Sequence, residues 1–558
     1  MMTNNDNRTR LAFWLLLVAL AILFIPWLGL APFNTKGEPR EAIVAVSMLQ
    51  SGNWILPVSF GADIPYKPPF LAWCIALLSL PTGHVTEFTS RLPSAIAVIC
   101  LAMMTFAFFR RTTRSLSTAV LTSLVTVTTV EVWRAGFACR VDMVLTACMV
   151  GALYALWRWR ESGFRGVPFA AVVLMTCAVL TKGPVGMLLP CLVVGIYGLL
   201  LGDRFWGLFG RMAAVGLAAL VVPALWYVAA YQLGGKEFYD LAMEENFGRM
   251  TGTMSYSSHE APFWYNFVTV AAGMLPYTLL ALLSLLAVSW RRVSVHPRRF
   301  VSWLRGIPAA DAFAFVAVAV IFLFYCFPKS KRSVYLLPIY PFLAYYVVML
   351  TRWLIGRRPN LVRAYTAVIA MVALLASAAV LVLAAMPAGA VPAKLQCLMP
   401  DAIGIVAATV SLLAAIYLSW TLWMRRTDWC ACAALGVTML TLVTVSAAIL
   451  PGILTAKSDR DAAADIAAIV PSGEPVYSYI DFPMLRYYTI NFYLDDRVRL
   501  YEKELPAEGW MIVSKEDLEG WNRHYGGVYS LTTVYEMSHK SCDRRQPALL
   551  VRFAPAAQ

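Results

Sequence analysis

Long apolar segments recur along almost the whole of this 558-residue chain, and they exclude most soluble folds. A helix of about 20 apolar residues is long enough to cross the ~30 Å hydrocarbon core of a membrane. The composition agrees, because 60% of the residues are hydrophobic and only 14% are charged. The apolar runs and the polar breaks between them predict thirteen membrane-spanning helices, at 11–30, 91–109, 115–132, 141–157, 167–181, 184–201, 212–232, 263–289, 309–327, 333–351, 364–386, 401–424 and 429–451.

Arginine is concentrated in every second connection between the predicted spans. Because Lys and Arg are retained in cytoplasmic loops, this pattern predicts a cytoplasmic N-terminus and an extracytoplasmic C-terminal region. The net charge of +14 therefore reports membrane orientation, and no nucleic-acid partner is expected. Residues 11–30 are too long for the apolar part of a cleavable signal, so we expect them to form the first span.

The composition changes near Lys457 from almost wholly apolar to mixed. We expect an all-helical membrane domain over 1–454, with large external loops at 31–90 and 233–262, and a small α/β domain over 455–558 outside the membrane. Within the small domain, the patterns predict one helix and three strands, at Asp459–Val470, Pro475–Ile480, Gly509–Ser514 and Ala548–Arg552.

The first external loop carries charges that a simple connection between spans does not need. Its prolines stiffen the backbone, and two short helices are expected on the membrane surface, at Glu41–Leu49 and Phe70–Leu80. These helices would hold Glu38 and Lys67 over the mouth of a cavity. Structural roles remain open for both residues: a charge at a helix N-terminus for Glu38 and a lysine reaching the lipid headgroups for Lys67.

Two further charged positions fall at span ends and in the second large loop. Asp142, at the edge of the fourth span, needs a partner or water, which Arg140 could provide, although a helix cap is the alternative. A third surface helix is expected from Lys236. Arg249 near the end of this helix is either an anion ligand or a charge that balances the helix dipole.

Aromatic and metal-binding side chains follow in the same loop. Trp264 and Tyr265 fit either the aromatic belt at the membrane interface or a platform for a sugar. His259 and Glu260 could share a divalent metal ion, although two ligands alone do not make a site.

Basic residues occur at two places on the predicted external side, although Lys and Arg usually lie on the cytoplasmic side. Lys329, Lys331 and Arg332 form one group, whose anionic partner is either a lipid headgroup or a ligand phosphate. Lys182 lies at a Gly-Pro break between two spans, where it either binds phosphate or forms a turn. Tyr335 adds a hydroxyl at the membrane level.

The predicted external surface thus combines carboxylates with several cations and a tyrosine. This mixture favours displacement of a phosphate leaving group from a lipid carrier, because cations and hydroxyls stabilise the charge that develops on the phosphate. The residues concerned are Glu38, Asp142, Lys67, Lys182, Arg249, Lys331 and Tyr335.

Several of these motifs occur in the order found in one enzyme family. They are Gly37-Glu38-Pro39-Arg40, Pro65-Tyr66-Lys67-Pro68-Pro69, Asp142, Thr181-Lys182-Gly183-Pro184, the segment from His259 to Tyr265, and Ser330-Lys331 with Tyr335 to Pro338. With this ordered set the chain resembles the bacterial lipid A aminoarabinose transferases, which are grouped with protein O-mannosyltransferases among the GT-C glycosyltransferases. The C-terminal region resembles the family only in position and size.

The resemblance implies a thirteen-span GT-C fold with surface helices and a periplasmic C-terminal domain. It also implies transfer of 4-amino-4-deoxy-L-arabinose from undecaprenyl phosphate to lipid A phosphates, at the periplasmic face of the bacterial inner membrane, with resistance to polymyxin as the result. We expect a monomer among membrane lipids, with no required cofactor apart from a possible divalent ion. Two departures from the family are Gly37, where an acid is common, and Tyr66, where an acid often precedes the Lys-Pro pair.

Residue chemistry and this resemblance together give the candidate residues their expected roles. Glu38 and Asp142 are the expected catalytic carboxylates. The donor phosphate is expected to bind Lys67, Arg249, Tyr335, Lys331 and Lys182, the substrate to contact Arg40, Trp264 and Tyr265, and a metal to bind His259 and Glu260. Two alternatives stay open: a GT-C transferase for another acceptor, such as a protein hydroxyl, and a transporter of the lipid-linked sugar.

Overall fold

The computed structural model describes residues 4–245, 260–288, 300–482, 485–544 and 546–556. The chain divides into two compact units, which we describe separately. The helical unit comprises Met1–Pro26, Ser94–Met386 and Pro400–Ala448, and the sheet unit comprises Trp27–Pro93, Pro387–Met399 and Ile449–Gln558. The first external loop therefore belongs to the same unit as the C-terminal region.

Helices account for most of the described chain. The first ten are α1 (Asn4–Phe24), α2 (Pro39–Ser51), α3 (Phe70–Ser79), α4 (Glu87–Thr113), α5 (Leu116–Val127), α6 (Val130–Gly136), α7 (Val141–Glu161), α8 (Phe169–Lys182), α9 (Val185–Leu201) and α10 (Phe205–Met243). The later helices before the sheet cover Tyr265–Gly273, Tyr277–Ser284, Phe300–Gly306, Ala309–Cys326, Tyr340–Arg357, Pro359–Ala385, Ala393–Gln396, Ala402–Trp423, Thr427–Thr444 and Leu450–Thr455.

The membrane spans largely follow the apolar runs of the sequence. Among the described residues, nine helices are long and apolar enough to cross a membrane. The predicted spans 115–132 and 263–289 are helix pairs bent by 70° and 110°, which raises the count to as many as eleven. The remaining predicted spans, 167–181 and 184–201, correspond to the apolar helices α8 and α9, of 14 and 17 residues. The chain is thus a multi-pass membrane protein, and the count of thirteen stays a prediction.

Glycine determines two of the helix breaks that position charged residues. Gly183 has φ 83° and ψ −164°, and with Pro184 it separates α8 from α9 immediately after Lys182. Within α10, Gly235 has φ 55° and ψ −142°, so the helix turns before Lys236. Side chains other than glycine rarely adopt these left-handed conformations. The predicted third surface helix is therefore the part of α10 that follows Gly235.

The sheet unit contains a five-stranded mixed sheet in the order β2-β1-β3-β5-β4. β1 pairs in parallel with β2 and with β3, whereas β5 runs antiparallel to β3 and to β4. The strands are β1 (Val476–Ser478), β2 (Val498–Leu500), β3 (Gly509–Ser514), β4 (Tyr529–Glu536) and β5 (Ala548–Pro555). The helices of this region are Arg460–Ile469, Tyr488–Tyr493, Tyr501–Glu504 and Lys515–Tyr525. The expected α/β region is confirmed, but β2 and β4 were not predicted.

Apolar side chains cover both faces of this sheet. Successive residues of β3 enter different cores: Ile512 packs with Phe60, whereas Met511 and Val513 pack with Trp521. This alternation follows from the period of two in a strand. Phe60 comes from the first external loop and is fully buried, so the loop is part of the hydrophobic core of the sheet unit.

Candidate active site

Glu38 lies at the start of the first external loop and forms a buried ion pair with Arg91. The Arg91 guanidinium donates from Nε to Glu38 Oε1 (2.9 Å) and from Nη2 to Oε2 (3.2 Å). Arg91 also donates to the carbonyls of Leu28 (2.9 Å) and Ala31 (2.6 Å). Only 7% of Glu38 and 4% of Arg91 are exposed. This ion pair fixes the start of α2 to α4. A structural role therefore suits Glu38, since breaking a buried ion pair costs about 3–5 kcal/mol.

A second group of charges in the same loop consists of Arg40, Glu41, Tyr66 and Lys67, which we call the loop cluster. Lys67 Nζ donates to Glu41 Oε1, and Arg40 Nη2 lies 3.6 Å from the same oxygen. The ring of Tyr66 lies 5.2 Å from the Arg40 guanidinium carbon and 5.5 Å from Lys67 Nζ. Both cations are partly exposed. Two cations therefore lie beside one carboxylate, and cations of this kind can bind an anionic ligand.

The two departures from the family pattern can now be described structurally. Gly37 precedes α2, which has Pro39 as its first residue. Tyr66 supplies an aromatic face to both cations at the position where the resemblance led us to expect an acid. Glu41, one turn into α2, is the carboxylate that meets Lys67. The loop cluster thus has an acid beside its lysine, and this acid belongs to α2.

In the helical unit, Asp142, Lys182 and Tyr335 form the helix-end cluster. Asp142 lies in the first turn of α7 and Lys182 in the last turn of α8, and Lys182 Nζ donates to Asp142 Oδ1. Lys182 Nζ also lies 4.3 Å from the centre of the Tyr335 ring. The side chain of Asp142 is 6% exposed and that of Lys182 is 19% exposed. The fold therefore brings three of the predicted site residues into contact.

The remaining predicted site residues that the structure describes are not members of either cluster. Lys331 is 6% exposed and donates to the Pro328 carbonyl (2.6 Å). Glu260 is exposed and forms an antiparallel bridge with Ser330. Trp264 is 54% exposed. Tyr265 begins a helix.

Arg249 and His259 lie outside the described residues, so the predicted metal pair is represented only by Glu260. Within the part of the chain that the structure describes, no three His, Cys, Asp or Glu side chains are placed to hold a metal ion.

Three charged residues near these clusters were not predicted. Glu41 was counted among the charges of the first loop and as the start of a helix but was given no role of its own, and Arg91 was treated as the start of a span. Glu131 is 6% exposed and accepts two hydrogen bonds from Arg134, at 2.7 Å and 3.2 Å, within the bent span. An acid inside an apolar run was the available signal for Glu131, because such residues are costly unless they have a partner.

Part of this chain matches the model of a known protein family. A family model described as dolichyl-phosphate-mannose-protein mannosyltransferase matches residues 66–227, which include Lys67, Asp142 and Lys182. An uncharacterized protein of Aquifex aeolicus is 28% identical over 336 residues, covering 60% of this chain and 62% of the relative.

Other curated relatives carry a functional name. Proteins named undecaprenyl phosphate-alpha-4-amino-4-deoxy-L-arabinose arabinosyl transferase are 25% identical in Enterobacter sp. and 26% identical in Pseudomonas aeruginosa. The matches cover 59% and 58% of this chain, and 57% and 56% of the two relatives. The chain therefore spans less than two thirds of the length of these curated relatives.

Solved structures extend the similarity to nearly the whole chain. Crystal structures of ArnT from Cupriavidus metallidurans, one bound to undecaprenyl phosphate and one in the apo state, match with TM-scores of 0.68 and 0.69 at 20% identity. Each match covers 96% of this chain and 97% of ArnT. The chain therefore has the GT-C fold of ArnT, and in sequence it is similar to the undecaprenyl phosphate-aminoarabinose transferases.

Proposed function

We propose that this chain is a glycosyltransferase that moves 4-amino-4-deoxy-L-arabinose from undecaprenyl phosphate to the phosphate groups of lipid A. The observation that carries the proposal is that Lys67, Asp142 and Lys182 lie in two partly exposed lysine–carboxylate clusters, within the segment that matches the mannosyltransferase model. The names of the arabinosyl transferases and the undecaprenyl phosphate in one ArnT crystal support the choice of sugar and carrier.

The proposed reaction breaks the bond between the sugar C1 and the oxygen of the carrier phosphate, while an oxygen of the lipid A phosphate bonds to C1. Undecaprenyl phosphate leaves with the bonding electron pair. Lys67 and Lys182 would stabilise the negative charge that develops there, together with Arg249, Lys331 and Tyr335. The acceptor phosphate has a second pKa near ~6, so it is already largely anionic at neutral pH and a strong general base is dispensable.

The carboxylates then have roles other than removing a proton. Asp142 orients Lys182 and can accept a hydrogen bond from the ammonium group of the sugar. Glu41 does the same for Lys67, whereas Glu38 acts on the loop through its bidentate contact with Arg91. Arg40 is proposed to contact the substrate beside Lys67, and Trp264 and Tyr265 remain proposed sugar contacts.

We further propose that the chain lies in the bacterial inner membrane with its N-terminus in the cytoplasm and its C-terminal region in the periplasm. The support is the alternation of arginine-rich connections. An added aminopentose carries a positive charge and would weaken the attraction of cationic peptides such as polymyxin to lipid A. We expect the chain to act as a monomer, and the expected lack of a required cofactor stays a prediction.

The test is transfer in vitro from synthetic undecaprenyl phosphate-linked aminoarabinose to lipid A by the purified chain. The expected product is lipid A with one or more added aminopentoses, identified by mass spectrometry. Incubation with a chelator addresses the proposed His259–Glu260 metal pair. Movement of intact donor between membrane leaflets without a new glycosidic bond would indicate a transporter instead.

A transferase for another acceptor is the second candidate, because the matching family model is named for a protein mannosyltransferase. The same preparation, supplied with polyprenyl-phosphate mannose and a serine- and threonine-containing peptide, distinguishes the two. Modified peptide together with unmodified lipid A would support this second candidate.

A further inference from the structure

Glu41 and Lys67 meet although they come from different elements of the first loop. Glu41 lies in α2, whereas Lys67 follows a tight turn in which Ser59 and Asp63 exchange backbone hydrogen bonds of 3.0 Å and 2.7 Å. The pairing of Glu41 with Lys67 therefore requires that α2 and this turn keep a fixed separation. A residue outside the loop that contacts both α2 and the turn would keep this separation fixed.

Asp496, in the C-terminal region of the same unit, makes such a contact. Its Oδ2 accepts a hydrogen bond from the Ser47 hydroxyl on α2 (2.7 Å), and its Oδ1 accepts one from the Phe60 backbone N–H in the turn (2.9 Å). Ser47 and Ser59 hydroxyls are also 2.9 Å apart. Asp496 is 5% exposed, so these bonds are shielded from water.

The backbone on both sides of this contact has unusual conformations. Phe60 has φ 52°, and Asp495 and Asp496 have φ 55° and 59°. Left-handed backbone at a bulky residue such as phenylalanine costs about 1–3 kcal/mol and persists only where the surroundings hold it. Phe60 is held on both sides, because its carbonyl also accepts from the Leu500 N–H (3.3 Å).

Neighbouring contacts join the same two elements to the same short stretch of the C-terminal region. Gln50 on α2 donates to the Asp495 carbonyl (2.9 Å), and Arg486 donates to Asp63 (3.2 Å), four residues before Lys67. α2 is therefore attached to the C-terminal region through Ser47 and Gln50, whereas Glu41 lies about 120° from Ser47 and about 180° from Gln50 around the helix, given 100° per residue.

We propose that the C-terminal α/β region positions the loop cluster, and that Asp496 is the positioning residue that joins α2 to the 59–63 turn and so keeps Glu41 beside Lys67. The role in catalysis rests on the proposed function, because donor binding by Lys67 is part of it. The structural part of the proposal is that Asp496 holds α2 and the turn in a fixed arrangement. This part does not depend on the reaction.

The test compares Asp496→Asn with Asp496→Ala in the full-length protein. Asn keeps an Oδ1 acceptor for the Phe60 N–H, can donate to the Ser47 hydroxyl, and tolerates positive φ. Ala removes both acceptors and leaves the buried Phe60 N–H without its side-chain partner. We expect Asp496→Ala to raise the KM for the lipid-linked donor about tenfold, with kcat per folded enzyme changed less, and Asp496→Asn to stay within about twofold of the wild type. Lys515→Ala, an exposed change in the same region, serves as the unaffected control.

Hydrogen exchange of residues 39–67 supplies the second measurement. Protection there should fall in Asp496→Ala and be retained in Asp496→Asn. If Asp496→Ala fails to fold, Ser47→Ala, which removes only the α2 contact, replaces it in both assays.

Unchanged protection, or a loss of activity that merely follows the folded fraction at constant KM, would overturn the positioning role. A wild-type protein that transfers no sugar would contradict the proposed function, while the exchange experiment would still decide whether Asp496 orders the loop.

Discussion

At the scale of single residues, two of the proposed donor-binding lysines, Lys67 and Lys182, are each held by a carboxylate and face an aromatic ring. Lys67 has Glu41 and Tyr66, and Lys182 has Asp142 and Tyr335. In each cluster the carboxylate and the ring together hold the lysine side chain in a defined orientation.

Lys67→Ala should abolish sugar transfer without loss of folded protein, because the side chain is partly exposed and its removal leaves Arg40 near Glu41. We expect kcat/KM to fall at least about 100-fold, which corresponds to the loss of a charge-assisted phosphate contact of about 3 kcal/mol. The measurement is transfer to lipid A, normalised to the monodisperse fraction in size-exclusion chromatography. Lys67→Arg, which keeps the charge, is the matched control, and full activity of Lys67→Ala would remove Lys67 from the site.

The helix-end cluster should behave differently, because Asp142 is almost completely buried. Lys182→Met alone leaves a buried carboxylate without this ion pair and should destabilise the protein by about 3–5 kcal/mol. The double change Asp142→Asn with Lys182→Met removes both charges and should recover most of the thermal stability while transfer stays lost. Recovery of transfer in the stable double variant would show that neither charge is needed for the reaction.

At the scale of elements, the junction of α8 and α9 places Lys182. α9 approaches α8 so closely that a Cβ on Gly186 would lie 2.5 Å from the Ala178 carbonyl carbon. Backbone atoms cannot move aside as a flexible side chain can. Gly186 thus permits the packing that holds the end of α8, and with it the lysine, next to Asp142.

Gly186→Ala should therefore push α9 away from α8 and reduce both stability and transfer. A cost of about 1–3 kcal/mol is typical of added volume in a packed site. Gly195→Ala on the same helix is the control, because its Cβ would meet nothing within 4 Å. Thermal unfolding, monitored by size-exclusion chromatography, should distinguish the melting temperatures of the two variants. Equal melting temperatures would contradict the close approach of α9 to α8.

At the scale of the whole molecule, the pH dependence of stability should report a buried acid in the C-terminal region. Burial, and then the charge of Asp459, raise the pKa of Asp543 to about 8, whereas its Oδ2 accepts a hydrogen bond from the Thr489 N–H (2.7 Å), which acts in the opposite direction. The unfolded value is 3.8. The folded state thus binds this proton more tightly than the unfolded state does.

The sign of the effect follows from this difference. The stabilising contribution of the neutral Asp543 is complete below about pH 4 and is lost as pH rises through about 8. Asp543→Asn, which cannot ionise, should raise the melting temperature relative to the wild type at pH 9 and change it much less at pH 5. Melting curves of both proteins at the two pH values provide the measurement, and a larger difference at pH 5 would contradict the assignment.

Membrane orientation is also a property of the whole molecule. An odd number of spans with a cytoplasmic N-terminus puts the C-terminal region outside the cytoplasm, and both eleven and thirteen spans are odd. A phosphatase that is active only in the periplasm, fused after residue 558, should therefore be active. Activity of a cytoplasmic reporter at the same position would reverse the proposed orientation.

The sequence by itself determined the features that depend on neighbouring residues. Apolar runs long enough for a membrane, the Lys182-Gly183-Pro184 break and the helices of the first loop were all predicted, because each follows from local hydrophobicity or from glycine and proline. Strand β2, with three residues, is too short to show a period, and β4 is mostly exposed and lacks a buried alternating face.

Only the tertiary structure decided which charges meet. Glu41 rather than Glu38 contacts Lys67, Lys182 contacts Asp142, and Asp496 reaches Ser47 across more than 400 residues of sequence. Nothing in local periodicity encodes such pairs, since each depends on how separate elements pack. Buried charges and polar groups need partners, so the sequence indicates that such pairs exist. Which residues form the pairs depends on the fold.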